Sequence, residues 1–236
     1  MWANAGGSAG IALVWGIAFA NLIQGVALDS KHDYTGNLAD LFTGYTVFAG
    51  LALVIVFAFH GANFLTLRTA GDLCERAQRA AAALAVPAVA AGAAFLIWTV
   101  VVAVGHNDKG VFPPIVPAVI GIAALVVAAG FVYLERSGVA FTLTALGIVS
   151  TVATLFTSLY PRVMVSDPNF GNSLTVSNAA SAHYTLVVLT VVAAIVTPLV
   201  LLYQGWTYYV FRARVTGEEV ESPETLIGAP SGSRAR

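Results

Sequence analysis

The side chains best suited to redox or proton chemistry here are four histidines, one cysteine and two methionines. A haem held within one chain needs axial donors, usually His or Met, that face each other across helices. His32 and His106 fall in polar connections, His183 lies at the lip of an apolar run, Met1 and Met164 sit at edges, and only His60 lies deep inside an apolar run. No facing pair results, so the chain alone is expected to ligate no haem and no other metal. Cys74, the single cysteine, forms no intrachain disulfide and cannot supply the thiolates of an iron–sulfur cluster or a structural zinc site. Phosphate-binding loops, nucleophile elbows and paired metal-binding histidines are missing from the sequence as well.

Two polar constellations remain. His60 lies fifteen residues beyond Tyr45, ~22 Å along a helix, and Asn63 follows it by one turn on the same face. An intramembrane histidine reads either as a proton-relay or ligand residue, or as a neutral packing group hydrogen-bonded to a neighbouring span, and the second reading is preferred. Asn21 and Gln24, spaced i,i+3 and preceded by Trp15, make a polar seam on one helix face. Interhelical hydrogen bonding is the first expectation for that seam, with contact to a quinone headgroup or a water file as the alternative. No Asp, Glu, Lys or Arg lies within an apolar run, so no charged relay is expected.

The elements that must position these groups follow from composition. Of 236 residues, 58% are hydrophobic and only 10% charged, and mean hydropathy is +0.82. No soluble domain of this size hides so much apolar surface. A net charge of −1 leaves no basic field for nucleic acid, and the composition excludes a disordered acidic chain. The apolar stretches are continuous rather than alternating, which argues against a β-barrel. The expected fold is an all-α polytopic membrane bundle with six spans, at about 6–28, 44–67, 80–105, 114–134, 139–160 and 182–211.

Residues 1–215 would form the membrane domain and 216–236 a polar cytoplasmic tail. No basic residue precedes Lys31, so the first apolar stretch is expected to stay in the membrane rather than act as a signal peptide. Residues 72–83 are amphipathic and should extend span three beyond the membrane, and the short turn at Glu135 and Arg136 makes spans four and five a hairpin. Arg68, Arg76, Arg79, Arg136, Arg212, Arg214, Arg234 and Arg236 share the side of both termini, against Lys31, Lys109 and Arg162 on the other, which predicts cytoplasmic termini. Trp206, Tyr208 and Tyr209 read as an interfacial anchor. The outer connection 161–181, which follows Tyr160, is rich in turn formers, contains Asn178 and reads as a packed lid.

Longer stretches carry a resemblance. They are Trp2 with Gly7-Ser8; the run from Gly16 to Val26, with Asn21 and Gln24-Gly25; His60-Gly61-Ala62 leading through Leu67-Arg68-Thr69 to Gly71-Asp72-Leu73; Leu159-Tyr160-Pro161; Ser173-Leu174-Thr175 with Asn178-Ala179; Tyr184-Thr185-Leu186; and Tyr203-Gln204 with Trp206-Thr207-Tyr208. In this order they resemble subunit II of the cytochrome bd-type quinol oxidases, from about Trp2 to Arg214. The resemblance implies a respiratory-chain complex in a bacterial plasma membrane, in which a partner, subunit I, binds haem b and haem d, oxidises quinol and reduces oxygen to water, coupled to formation of a proton gradient. It implies that subunit II binds no haem, catalyses nothing itself and stabilises its partner as a heterodimer, and that in some members it contributes a quinone, an oxygen route or part of a proton route. Small accessory single-span subunits, membrane lipid and quinone or quinol are the further partners so implied. Members of that family begin with about three further spans, so the seam of span one is expected to have another helix beside it in a longer chain. A small helical membrane transporter or channel is the alternative, and it predicts broken helices near the midplane.

Overall fold

In the computed structural model the described residues are 2–106 and 112–210. Asp108, Lys109, Arg212, Arg214, Arg234, Arg236 and the 216–236 tail lie outside them. Helix α1 runs Trp2–Gln24, α2 Gly44–Arg68, α3 Asp72–His106, α4 Phe112–Tyr133, α5 Ser137–Leu159, α6 Val176–Ala179 and α7 His183–Val210. Six of the seven are long and apolar enough to cross a membrane, all but the four-residue α6. The chain is thus an all-α, multi-pass membrane protein.

The ends of these helices have local causes. Helix α1 stops at Gln24, four residues before the apolar run does, because Gly25 takes a left-handed φ of +106° and Val26 leaves the helix to pair with the outer connection. Hydrophobicity does not register that break, since residues 26–28 are as apolar as the helix. Helix α2 opens on a capping box in which Thr43 accepts from the Thr46 amide and Thr46 reaches back to the Thr43 amide. Helix α4 closes with the Arg136 amide donating to the Phe131 carbonyl and the Glu135 amide to that of Val132, with Glu135 at φ +58°. That tight reversal sets α4 and α5 side by side. Helix α3 has 35 residues, ~52 Å at the helical rise and well beyond a ~30 Å hydrocarbon core, so one end stands outside the membrane. Helices α3, α4 and α7 continue through Pro87, Pro117 and Pro198. Unbroken helices remove the main support for the transporter alternative.

Helices α1 to α5 pack into one body with two core clusters. One gathers Ala20, Ile23, Tyr45, Ala49, Phe95, Leu155 and Val165, and the other Phe59, Ala81, Ala85, Ala88, Ala128 and Ala140. Small residues dominate because, without water to drive apolar association in a bilayer, helices gain by close backbone approach. Backbone meets backbone where α1 crosses α2: a Cβ on Gly16 would stand 2.6 Å from the Gly50 Cα. Several buried hydroxyls find partners within the body: Thr154 donates to the Ser150 carbonyl, Thr66 to that of Asn63, and Tyr45 shares a 2.9 Å hydrogen bond with Thr99. Helix α7 is different. None of its 28 residues is buried.

The outer connections are built rather than loose. Strand β1 (Arg162–Met164) pairs antiparallel with β2 (Leu174–Thr175). The Val26 amide donates to the Val165 carbonyl, the Val165 amide to that of Leu22, and the Asp167 amide to that of Val26. Val165 and Ser166 are fully buried, so the 161–181 segment is a packed cover over the ends of α1 and α5.

Candidate functional site

His60 and Asn63 sit on α2, but the helix turns them to different surroundings. Asn63 is buried and its amide donates to the Phe59 carbonyl of its own helix at 2.8 Å. His60 is half-buried between α2 and α5, its ring stacked on Phe141 with centroids 4.6 Å apart and its Nδ1 2.7 Å from Thr144 Oγ1. The Thr144 hydroxyl has one proton, and it points at the Phe141 carbonyl 2.8 Å away. Both contacts are hydrogen bonds only if His60 Nδ1 carries the hydrogen and donates it. With both contacts made, Nδ1 carries a hydrogen, and in an uncharged ring Nε2 is the acceptor. A group fixed in this way can accept a hydrogen bond from a donor laid against α2 and α5. Among the described residues no second titratable group stands within hydrogen-bond reach to receive a relayed proton.

The polar seam of α1 finds its partners in the connection to α2. Asn21 is buried and its amide donates to Ile17 and Leu41 carbonyls, each at 2.9 Å. Gln24 Oε1 accepts from the Thr43 hydroxyl at 2.6 Å, tying the last turn of α1 to the N-cap of α2. The short 3₁₀ turn Leu38–Leu41 supplies the Leu41 carbonyl, so the seam fastens α1 both to the connection and to the cap of α2. Trp15 is 56% exposed and stacks on Phe19 at 5.3 Å, apart from the seam.

In the outer cover, Asn178 closes the capping box of α6. Its side-chain oxygen accepts from the Thr175 amide at 2.6 Å and its amide donates to the Ser173 carbonyl. Tyr160 caps α5 through its backbone and projects its ring outward, 63% exposed. His32 Nδ1 lies 2.9 Å from the Asn172 carbonyl, and Asn172 donates to Leu28, so the two outer connections are laced together. The Cys74 thiol donates to the Thr66 carbonyl at 3.5 Å and is half-buried.

Sequence reasoning missed two features. Thr144 and Thr43 hold the two key polar side chains, yet a threonine in a span is too common to signal a role. Only the Thr-x-x-Thr pattern ahead of span two foreshadows the cap. The second feature is an apolar cavity of about 90 Å³ among α1, α2, α3 and α5, lined by Gly16, Phe19, Ala49, Val56, Gly92 and Phe95 among others. Such a lining is dry by nature and suits a small apolar guest better than water. Among the described residues, no three His, Cys, Asp or Glu come together in a way that could hold a metal ion.

Comparison with known proteins ties this architecture to one family. The family model described as cytochrome bd terminal oxidase subunit II matches residues 1–211. Cytochrome bd ubiquinol oxidase subunit 2 of Bacillus subtilis is 33% identical over 87% of this chain and 61% of its own length. Cytochrome bd-I ubiquinol oxidase subunit 2 of Escherichia coli K12 is 27% identical over 89% of this chain and 64% of its own. A probable cytochrome oxidase subunit 2 of Haemophilus influenzae is 26% identical over 84% and 60% respectively. The chain thus spans about three-fifths of the length of these relatives. With the family model matched along all six membrane-crossing helices, the chain belongs to the cytochrome bd terminal oxidase subunit II family.

Proposed function

We propose that this chain works in a bacterial membrane as the non-haem subunit of a cytochrome bd-type quinol oxidase. Its role is to hold a haem-bearing subunit I that oxidises quinol, reduces oxygen to water and contributes to a proton gradient. The observation that carries the reading is the family match along residues 1–211, with relatives named as subunit 2 of ubiquinol oxidases. Two further features support it. In the sequence only His60 lies deep inside an apolar run, the other histidines falling in connections or at a lip, which leaves haem b and haem d to the partner. Helix α7 presents 28 residues with no cover of their own, a surface suited to lipid and partner helices.

In this reading His60, Asn63, Asn21, Gln24 and Trp15 shape and fasten the bundle, and Tyr160 and Asn178 fix its outer cover. No residue of this chain touches the reacting atoms. The membrane domain is residues 1–215, with both termini and the 216–236 tail cytoplasmic, as the arginine distribution favours. Small single-span subunits complete the assembly. The test is a detergent pull-down of the tagged chain from its native membrane, followed by a reduced-minus-oxidised spectrum. A b-plus-d haem signature from co-purified partner is expected. A colourless preparation, or a b-type spectrum from the chain alone, would overturn the reading.

A further inference from the structure

At the end of the bundle away from the outer cover, the first turns of α3 and the α4–α5 reversal border an open cleft of about 390 Å³. Its walls carry Glu75 and Arg79 on α3 and Glu135 in the reversal, with Gln78, Ala82 and Tyr133 between them. Both α4 and α5 are membrane-crossing helices joined within a few residues, so Glu135 lies directly at a membrane surface. The Tyr133 hydroxyl donates to the Ala82 carbonyl at 3.2 Å, which fixes α4 against α3 and forms the floor of the cleft.

The charges in this cleft are not spent on each other. Arg79 Nε lies 3.5 Å from the Glu75 backbone carbonyl, a long contact, and among the described residues no ion pair joins Arg79 to Glu75 or Glu135. Glu135 occupies the left-handed region at φ +58°, where glycine would sit without steric cost. A carboxylate is thus held at the rim in a backbone position that favours a residue without one. Two carboxylates and one guanidinium around one space repel a simple anion and meet a simple cation with one opposing charge. A zwitterion with an ammonium a short tether away from a phosphodiester complements all three.

We propose that this cleft binds the headgroup of an aminophospholipid. Arg79 takes the phosphodiester with its planar fork, and Glu75 and Glu135 accept hydrogen bonds from the primary ammonium. The shared chemistry is that of phosphoethanolamine, and the surroundings favour a lipid as its source. One turn deeper than Ala82 on the same face of α3, Val86 is 65% exposed, and two turns deeper than Tyr133 on α4, Val126 is 50% exposed. An acyl chain descending from the cleft meets apolar side chains on both helices.

The experiment uses the delipidated full chain in detergent, titrated with short-chain phosphatidylethanolamine, phosphatidylcholine or phosphatidylglycerol and read by native mass spectrometry. Phosphatidylethanolamine should be retained about tenfold better than the other two, because a quaternary ammonium has no N–H to donate and a glycerol headgroup has no cation. Arg79→Gln should lower that retention by about tenfold. Glu135→Gly, which removes the carboxylate while relieving the backbone, should bring phosphatidylethanolamine down to the phosphatidylcholine level with an unchanged or higher Tm. This variant separates a lost ligand from a lost fold. Equal retention of the three lipids, or an unaltered preference in both variants, overturns the site. Displacement of the lipid by free phosphoethanolamine or inorganic phosphate at matched concentration overturns the lipid as its occupant.

Discussion

The crossing of α1 over α2 makes a quantitative demand on two glycines. A methyl at position 16 would sit 2.6 Å from the Gly50 Cα and 2.9 Å from the Ala49 carbonyl oxygen, both backbone atoms that cannot rotate away. Ordinary contact begins near 3.4 Å, so Gly16→Ala must push the helices apart by about 0.8 Å. A gap of that size forfeits a quarter to a half of each dispersion contact. With on the order of twenty facing atom pairs at ~0.1–0.2 kcal/mol each, the loss is ~0.5–2 kcal/mol. Overpacked cores in general lose about 1–3 kcal/mol. A loss near 2 kcal/mol corresponds to a fall in Tm of about 4–8 °C for a chain of this size, measured by thermal unfolding of the purified chain in detergent. Gly61→Ala is the control, since nothing lies within 4 Å of its built Cβ and a helical alanine gains up to about 1 kcal/mol over glycine. The double variant Gly16→Ala with Gly50→Ala should cost less than the sum, because one separation of the helices relieves both clashes. A Gly16→Ala chain that melts at or above the parent, while the control behaves as expected, would refute the close crossing.

Thr144→Val keeps the shape of the side chain but removes the acceptor of His60 Nδ1, so ¹⁵N NMR of the imidazole should report the Nδ1–H form in the parent and its loss in the variant, with about 1 kcal/mol of stability lost and serine restoring both. An unchanged imidazole spectrum would contradict the tautomer derived from the two contacts of Thr144. Asn21→Ala removes one of the two donors to the Leu41 carbonyl, the Thr46 hydroxyl being the other, which should cost about 0.5–1.5 kcal/mol and speed amide exchange around the 3₁₀ turn at 38–41. Exchange there that stays as slow as in the parent would show that the seam does not fasten the connection.

Much of this architecture is legible in the sequence because a bilayer imposes a coarse rule: an apolar run of sufficient length must become a helix. That rule locates α2, α4, α5 and α7 to within a few residues and the membrane part of α3, whose first turns follow instead from the amphipathic pattern of 72–83, and the depth of His60 follows from counting. It does not locate the end of α1, since the reversal depends on the backbone of Gly25 and not on side-chain polarity. The seam of Asn21 and Gln24 is visible as a spacing, but its partners are a backbone carbonyl and a cap hydroxyl in a connection whose path no periodicity encodes. Likewise, His60 announces itself by its type, whereas Thr144, 84 residues later in the sequence, becomes its partner only through the packing of α2 on α5.

Helix α7 bears on how variation in this chain would be weighed. A substitution in α1 to α5 changes contacts within the chain and so changes how much folded chain persists. A substitution along His183–Val210 disturbs no buried position, since no residue there is buried. Scored by abundance of the chain alone, a survey of all single variants would read this whole segment as tolerant. Scored by assembly, the same survey would divide the helix into a silent lipid side and a sensitive partner side. Subtracting the two maps would trace the missing contact surface residue by residue, with the five-helix body as its built-in reference.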